Sequence, residues 1–210
     1  MVAVGAHLAQ GMQGKVAVLL VNLGSPDAPT KAALKRYLRE FLSDPRVVDL
    51  PRWQWFPILY GVVLQTRPKK SAHAYEAIWQ ENGSPLIEIT KAQVAELGKA
   101  LQALGLEVVV DYAMRYGNPS LTSKFMALKA QGVEHVLVVP MYPQYSDATT
   151  ASVFDGVALA FVNSGLFLRF GWCAIGRIIL YILRRWQRVC VSILRDMVSQ
   201  SGYCFLSWRA

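Results

Sequence analysis

Polar and charged side chains follow each of three short apolar runs in the sequence. Arg115 is the most informative of them, because a charged residue directly after a buried strand has little structural reason to be there. A partly desolvated arginine forms a strong, charge-assisted hydrogen bond with a carboxylate. The net charge of +8 also favours an anionic partner, although a solvated basic surface explains that charge equally well. These features predict a site for an anionic ligand around Arg115.

The three apolar runs have the length and composition of buried β-strands. Residues 16–22 are rich in Val and Leu and stop at a Gly-Ser-Pro turn, and similar runs span residues 106–112 and 135–140. Short, unbroken apolar runs between turns are typical of strands that are buried on both faces of a parallel sheet. The loops that follow such strands share one edge of the sheet, where ligands bind in open α/β folds. We therefore expect the three strand-exit loops to lie together.

Amphipathic helices are predicted between these strands. Thr30 is placed to cap a helix whose apolar residues recur at helical spacing as far as Leu42, and Asp44-Pro45 is predicted to end it. A helix over about residues 90–104 ends at Gly105, a typical C-cap glycine, and another helix begins near Thr149 or Thr150. The alternation of strand, loop and helix predicts an α/β fold, in which a parallel sheet with right-handed crossovers carries helices on both faces.

Residues 51–66 are dominated by aromatic and apolar side chains. The segment reads PRWQWFPILYGVVLQT and is too short to span a bilayer. Arg67, Lys69 and Lys70 follow it, and a separate helix is predicted over residues 71–79. Two interpretations stay open. The segment is either a lip that makes a peripheral membrane contact or receives a flat apolar ligand, or it is a buried helix of the core.

Cysteine usage and the N-terminus bear on location. Cys173, Cys190 and Cys204 all lie late in the chain and have no metal-ligand spacing, which argues against a disulfide framework and against a cysteine-based zinc site. Residues 1–14 lack the basic and long apolar regions of a signal peptide and are expected to be disordered. We therefore expect a cytoplasmic protein, with membrane association through residues 51–66 as the open alternative.

The strand-exit loops carry motifs that resemble ferrochelatase, the enzyme that inserts ferrous iron into a porphyrin at the end of haem synthesis. Six motifs occur in the family's order: VNLGSPDAP at 21–29, FLSDPRVVD at 41–49, RPKKSAHAYEAIW at 67–79, GSPL at 83–86, MRYGNPS at 114–120 and PMYPQYSDATTAS at 140–152. No single motif is specific for the family, but the occurrence of all six in this order is. The resemblance implies a class II chelatase-like domain, a flavodoxin- or Rossmann-like half, over residues 15–161.

The resemblance also implies what binds at the strand exits. The substrates of the family are protoporphyrin IX and Fe²⁺, so we expect no permanently bound cofactor and no nucleic-acid partner. A porphyrin is a flat apolar ring with anionic propionates, and its site needs apolar walls and a few cations. Positions that match the family's cleft-lining or propionate-binding residues are Leu23, Arg67, Tyr75, Ser84, Arg115, Tyr116 and Ser146.

Most of these positions have a structural alternative. Leu23 and Tyr75 suit the core, Ser84 and Ser146 suit caps or turns, and Arg67 suits a solvated position near the start of a helix. For Arg115 the functional interpretation is favoured, because its charge has no other evident reason.

The catalytic groups of the resembled family are not found in this sequence. Metal insertion there depends on a His in an S-x-H-G type segment and on a Glu further along. The only histidines here are His7, His73 and His135, and none of them lies in such a segment. We therefore predict no catalytic and no metal-binding residue in this chain, and we expect the chain to be inactive by itself.

Composition changes at about residue 162. All lysines lie before Ala130, whereas every basic residue after residue 162 is an arginine. Residues 162–210 are interpreted as an atypical basic, apolar tail: an interfacial helix, a membrane span interrupted by arginines, or a segment translated out of frame. The abrupt change favours the last interpretation, so the chain is interpreted as truncated or frameshifted after about residue 160.

Three functional hypotheses follow. The first is ferrochelatase-type insertion of iron, and the second is a non-catalytic porphyrin-binding module. The third is a nucleotide- or phosphate-binding protein that uses the loop at Gly24 and Ser25. The sequence speaks against the third, because it contains no G-x-G-x-x-G pattern and because Pro26 lacks the backbone N–H that a phosphate would need.

Overall fold

A parallel β-sheet forms the centre of the described chain. The structure, a computed structural model, describes residues 14–164 and 169–172. The strands are β1 (Lys15–Asn22), β2 (Val108–Met114), β3 (Val133–Pro140) and β4 (Arg169–Trp172). They lie in the order β2-β1-β3-β4, and all three pairings are parallel. The predicted parallel sheet is therefore confirmed.

Helices connect the strands and cover both faces of the sheet. Their bounds are α1 (Lys31–Leu42), α2 (Arg52–Ile58), α3 (Leu64–Ile78), α4 (Pro85–Ala103), α5 (Leu121–Ala130) and α6 (Ser152–Ser164). Two π-helical segments, Leu59–Val63 and Asp147–Ala151, precede α3 and α6.

The central strand β1 shows why the sheet needs a layer on each face. Residues 17–21 are fully buried, and their side chains alternate between two apolar clusters. Leu19 belongs to the cluster that includes side chains of α5 and α6, whereas Leu20 belongs to the one that includes Leu97 and Leu101 of α4. The prediction of helices on both faces is thus confirmed.

Two helices begin earlier than their predicted starts. The helix expected from about residue 90 begins at Pro85, because Ser84 takes the N-cap position and proline at the first helical position needs no N–H partner. The helix expected over residues 71–79 is α3, which runs on directly from the π-helical segment Leu59–Val63 and carries Pro68 inside it. Hydrogen bonding is already irregular next to a π-helical segment, so the proline does not end the helix there.

The fourth strand lies in the segment that was interpreted as an atypical tail. Residues 169–172 pair with β3 from His135 to Val138. Four residues are too few to show a strand period, and Arg169 interrupts the apolar run, so sequence patterns did not indicate this strand. Residues 165–168 and 173–210 of the predicted tail lie outside the described residues, as do residues 1–13 of the predicted N-terminal segment.

Residues 51–66, called the lip from here on, have one buried and one exposed side. Inward, Leu59 and Leu64 pack in a small apolar cluster with Leu42 of α1, and the indole N–H of Trp55 donates to the Leu42 carbonyl at 2.7 Å. Outward, large apolar side chains are exposed, among them Trp53, Ile58 and Val62. The buried-helix interpretation therefore describes only one face of the lip. Among the described helices, none is long and apolar enough to cross a membrane.

Candidate binding site at the strand exits

Backbone hydrogen bonds join the loops after β2 and β3 to the end of β1 and to the loop that follows it. The N–H groups of Arg115 and Tyr116, after β2, donate to the carbonyls of Asn22, the last residue of β1, and of Leu23, which follows it, at 2.8 and 3.0 Å. The N–H of Met141, after β3, donates to the Val21 carbonyl at 2.8 Å. We call these loops, residues 22–27, 114–120 and 141–146, the rim.

Two glycines allow the first two rim loops to approach so closely. Gly24 has a φ of +107°, and a Cβ placed on it would lie 1.8 Å from the Tyr116 carbonyl oxygen. Gly117 has a φ of +78°, and its Cβ would lie 2.9 Å from the Ser25 carbonyl oxygen. Side chains at either position would collide with backbone atoms, so the contact between these loops requires glycine.

A buried carboxylate ties the rim to two helices. Asp44, just after α1, accepts three hydrogen bonds at Oδ2: from Arg115 Nη2 at 2.6 Å, from the Tyr116 hydroxyl at 2.7 Å and from Ser152 Oγ at 2.7 Å. Its Oδ1 accepts the backbone N–H of Arg46 at 2.8 Å. One side chain thus links the end of α1, the exit of β2 and the start of α6.

Protonation states follow from this network. Burial by itself would raise the pKa of the Asp44 carboxyl, but hydrogen bonds from Ser152, Tyr116 and the Arg46 backbone, together with the charge of Arg115, outweigh burial and hold that pKa below its usual value. Burial raises the pKa of the Tyr116 hydroxyl, and the hydrogen bond that it donates to Asp44 acts in the same direction. Asp44 is therefore ionised and Tyr116 neutral at physiological pH.

The structure provides a reason for the charge of Arg115 that the sequence did not reveal. Its side chain is 18% exposed and pairs with the Asp44 side chain, which is 6% exposed. Its Nε donates to both the carbonyl and Oγ of Ser152, at 2.7 and 2.8 Å. The guanidinium carbon lies 4.5 Å from the centre of the Tyr116 ring. Arg115 is thus held in one orientation before any ligand arrives.

A cleft of about 730 Å³ opens beside this network. Its walls come from α1, the first two rim loops, the lip and α6, and they include Tyr37, Arg39, Arg115 and Gly156. Positive side chains do not outnumber negative ones in these walls. Acidic side chains such as Asp27 share the walls and pair with neighbouring arginines. The site therefore offers directed N–H donors rather than a broad positive surface.

The seven predicted site residues fall into separate groups. Leu23, Arg115 and Tyr116 are brought together on the rim by the backbone bond between Leu23 and Tyr116. Ser146 also lies on the rim, exposed, where its hydroxyl and N–H bond Thr149 Oγ1 at 2.7 and 3.0 Å in a capping box.

The other three predicted residues lie on helices. Arg67 is exposed on α3, and Tyr75 is half-buried on the same helix with its ring 6.3 Å from that of Trp79. Ser84 is buried at the N-cap of α4. Within the described residues, no hydrogen bond, ion pair or ring contact joins these three to Leu23, Arg115 or Tyr116.

Histidines lie away from the rim in the part of the chain that the structure describes. His73 is on α3, with Nδ1 3.3 Å from a Glu76 carboxylate oxygen. His135 is in the first half of β3, at the opposite end of the strand from the rim. The described residues contain no group of three or more His, Cys, Asp or Glu side chains that could hold a metal ion.

Sequence reasoning missed Asp44 and Ser152. Asp44-Pro45 is predicted to end a helix, which ends just before it at Leu42, and Ser152 lies after the predicted helix start near Thr149 or Thr150 without a predicted role. The contacts that matter span 71 and 108 positions along the chain, from Asp44 to Arg115 and to Ser152. An acid in the FLSDPRVVD motif and an unexplained arginine in MRYGNPS were the available signals, and pairing them would have suggested the bond.

Comparisons with known proteins agree with the motifs. A ferrochelatase family model matches residues 15–170, which is further than the predicted domain end at residue 161. Ferrochelatase 2 of Shewanella oneidensis is 54% identical over 146 residues, 70% of this chain and 45% of the relative. The ferrochelatase of Bordetella pertussis is 54% identical over 144 residues (69% and 40%), and that of Idiomarina loihiensis is 53% identical over 154 residues (73% and 42%). The chain spans less than half the length of these relatives.

Proposed function

Because the chain belongs to the ferrochelatase family, we propose that its rim forms one side of a site that binds protoporphyrin IX for the insertion of Fe²⁺ in haem synthesis. The proposal concerns the part of such an enzyme that the described residues represent. Iron and porphyrin are substrates in this reaction, so neither is a resident cofactor.

The placement of Arg115 carries the proposal. Its guanidinium lines the cleft together with Tyr116, whose backbone N–H bonds the Leu23 carbonyl, and its Nη1 has no hydrogen-bond acceptor among the described residues. A propionate that reaches this nitrogen would form a charge-assisted bond in a partly desolvated place. Leu23 would then lie against the apolar ring. A cation for a carboxylate and an apolar side chain for the ring fit a flat molecule with two carboxylates.

The remaining predicted residues are proposed as further porphyrin contacts. Arg67 and Tyr75 of α3 would approach the ring from the side of the lip, and Ser84 and Ser146, which do not line the cleft, would contribute hydroxyl groups at its periphery. These residues lie on α3, at the start of α4 and on the third rim loop. A site that uses all of them therefore requires these elements to keep their relative positions.

Metal insertion requires groups that the described residues do not bring to the rim. His73 and His135, the histidines of the described part, lie elsewhere in the fold. We therefore expect the chain alone to bind porphyrin without inserting iron. The alternative function, a non-catalytic porphyrin-binding module, is supported by this same observation.

The outward face of the lip supports a peripheral membrane contact. Trp53 is 76% exposed, and Ile58 and Val62 are also largely exposed. Arg52 lies on the same segment, where a cation would favour anionic headgroups. Apolar porphyrin could then pass between the bilayer and the cleft. The cytoplasmic location expected from the sequence stays a prediction.

Porphyrin titration of the purified chain tests the proposal. We expect saturable binding of protoporphyrin IX, followed by its absorbance and by quenching of protein fluorescence. Arg115→Ala should weaken the affinity by about tenfold, because it removes a charge-assisted hydrogen bond. Lys99→Ala is the control, since it removes an exposed cation of α4 that pairs with Glu96 and does not line the cleft. No binding, or equal effects of the two variants, would refute the proposed site.

A metal-insertion assay separates the two functions. The chain is mixed with protoporphyrin IX and Fe²⁺ or Zn²⁺, and metalloporphyrin formation is followed by absorbance. We expect none above the uncatalysed rate. Catalysed insertion would show that the chain delivers metal, so that the expectation of inactivity and the module alternative would both be wrong.

A further inference from the structure

We propose that Asp44 is a positioning residue, which holds the Arg115 guanidinium so that its Nη1 side is available to one carboxylate of the ligand. This inference rests on the porphyrin site proposed above. It adds to that site a residue that borders the cleft but acts on the ligand through Arg115.

The hydrogen bonds of Arg115 define its orientation. Nη2 donates to Asp44 Oδ2, and Nε donates to the carbonyl and hydroxyl of Ser152. The guanidinium also lies over the Tyr116 ring. Of the three guanidinium nitrogens, Nη1 is the one without a protein acceptor in the described chain. Because the guanidinium is planar and its N–H directions are fixed, securing two nitrogens determines where the third points.

Asp44 can impose this orientation because it is itself held. Its two oxygens accept four hydrogen bonds, one of them from the Arg46 backbone, and its side chain is almost fully buried. The Asp44 carboxylate is therefore fixed in one position, so it holds the Arg115 guanidinium in one position as well. An arginine that is ordered before binding loses less conformational freedom when the ligand arrives, which favours affinity.

Positioning and simple electrostatics predict opposite results for Asp44→Asn. The variant removes one negative charge next to the cleft, so attraction between the cleft and an anionic ligand should increase if net charge decides affinity. If Asp44 acts by orienting Arg115, the same variant should weaken binding of the carboxylate despite the gain in positive charge.

The experiment compares protoporphyrin IX with its dimethyl ester on the full chain in one detergent solution. The measured quantity is the acid preference, the ratio of the two affinities. Wild-type chain should prefer the acid, and Arg115→Ala and Asp44→Asn should each lower that preference by about tenfold. The double variant should match Arg115→Ala alone, because Asp44 acts through Arg115. Partial misfolding would reduce both affinities together and leave their ratio intact.

Asp111→Asn is the matched control. Asp111 lies on β2, as a half-buried carboxylate that bonds Lys124 Nζ at 2.8 Å through each oxygen, and it does not line the cleft. The acid preference of the Asp111→Asn variant should equal that of the wild-type chain. If Asp44→Asn is found unfolded by circular dichroism, Ser152→Ala takes its place, since it removes one acceptor from Arg115 and one donor to Asp44.

The outcomes separate this inference from the proposed function. An unchanged or increased acid preference in Asp44→Asn (or an unchanged one in the substitute Ser152→Ala), or additive effects in the double variant, would overturn the positioning role alone. Failure of the wild-type chain to bind either porphyrin would overturn the proposed function and this inference with it. A loss of preference confined to the Arg115 and Asp44 variants supports both.

Discussion

The rim and the lip expose very different chemistry, although Asp44 and the start of the lip at Pro51 are close in sequence. Around the rim, charged and polar side chains meet at Asp44, which accepts four hydrogen bonds, whereas Ser25 Oγ and the Tyr142 hydroxyl are buried without a hydrogen-bond partner in the described chain. On the lip, large apolar side chains such as Trp53 point outward and stay exposed. The chain therefore builds the geometry of the rim by itself, whereas the outer face of the lip gains from contact with a second apolar surface. Rim residues should matter for folding and lip residues for association.

A pair of glycine substitutions should show the largest difference. Gly24→Ala places a methyl group in contact with the Tyr116 carbonyl in a backbone conformation that favours glycine, and we expect it to lower the free energy of unfolding by about 3 kcal/mol or more. Gly61→Ala on the lip meets no atom within 4 Å and should leave that free energy nearly unchanged. Urea unfolding measures both variants. Similar effects would mean that the rim loops do not interlock.

Side-chain removal extends the same comparison. Asp44→Ala leaves the Arg115 guanidinium without its buried partner, so we expect a loss of about 3 kcal/mol in the free energy of unfolding. Trp53→Ala removes a far larger side chain, but an exposed one, and should change that free energy by less than about 0.5 kcal/mol. A greater loss for Trp53→Ala in urea unfolding would contradict the assignment of folding to the rim.

Membrane association should depend on the lip. Replacing Trp53 and Val62 together by serine removes two exposed apolar side chains and should lower partitioning into vesicles of anionic phospholipid by about tenfold. The urea midpoint should not change, because neither residue belongs to the apolar cluster of the lip. Vesicle co-sedimentation gives the partition coefficient. Unchanged partitioning would remove the case for a membrane contact at this face.

Acid should destabilise the rim in a way that can be assigned to one residue. The pKa of Asp44 is lower in the folded chain than in the unfolded chain, so its contribution to stability is fully present above the ordinary aspartate pKa of about 3.9 and is lost as pH falls further. Asp44→Asn should lose less stability than wild type between about pH 4 and pH 2. Unfolding free energies measured across that interval provide the test, and parallel curves would assign the acid sensitivity to other groups.

Local sequence patterns were sufficient for much of the fold. The apolar run that forms β1, the Thr30 cap of α1 and the glycine at residue 105 all depend on neighbouring residues, and each has its expected place. The motifs were sufficient for the family. Neither the local patterns nor the motifs indicate which side chains, distant in the sequence, come into contact.

The bond between Asp44 and Arg115 shows where prediction from the sequence ended. Local patterns assigned Asp44 to the end of a helix and Arg115 to a strand exit, and both assignments are right. The bond itself arises because the parallel order β2-β1-β3 brings the end of α1, the exit of β2 and the start of α6 together. Strand order is a property of the whole sheet, so short-range periodicity does not contain it.

Hydrogen exchange of the backbone amides, measured with and without protoporphyrin IX, tests the porphyrin site most directly. Ligand binding slows exchange where it orders or covers the chain. We expect added protection in all three rim loops, residues 22–27, 114–120 and 141–146, and a loss of that protection in Arg115→Ala. Protection confined to the lip, or spread evenly over the chain, would contradict the proposal that the rim binds the porphyrin.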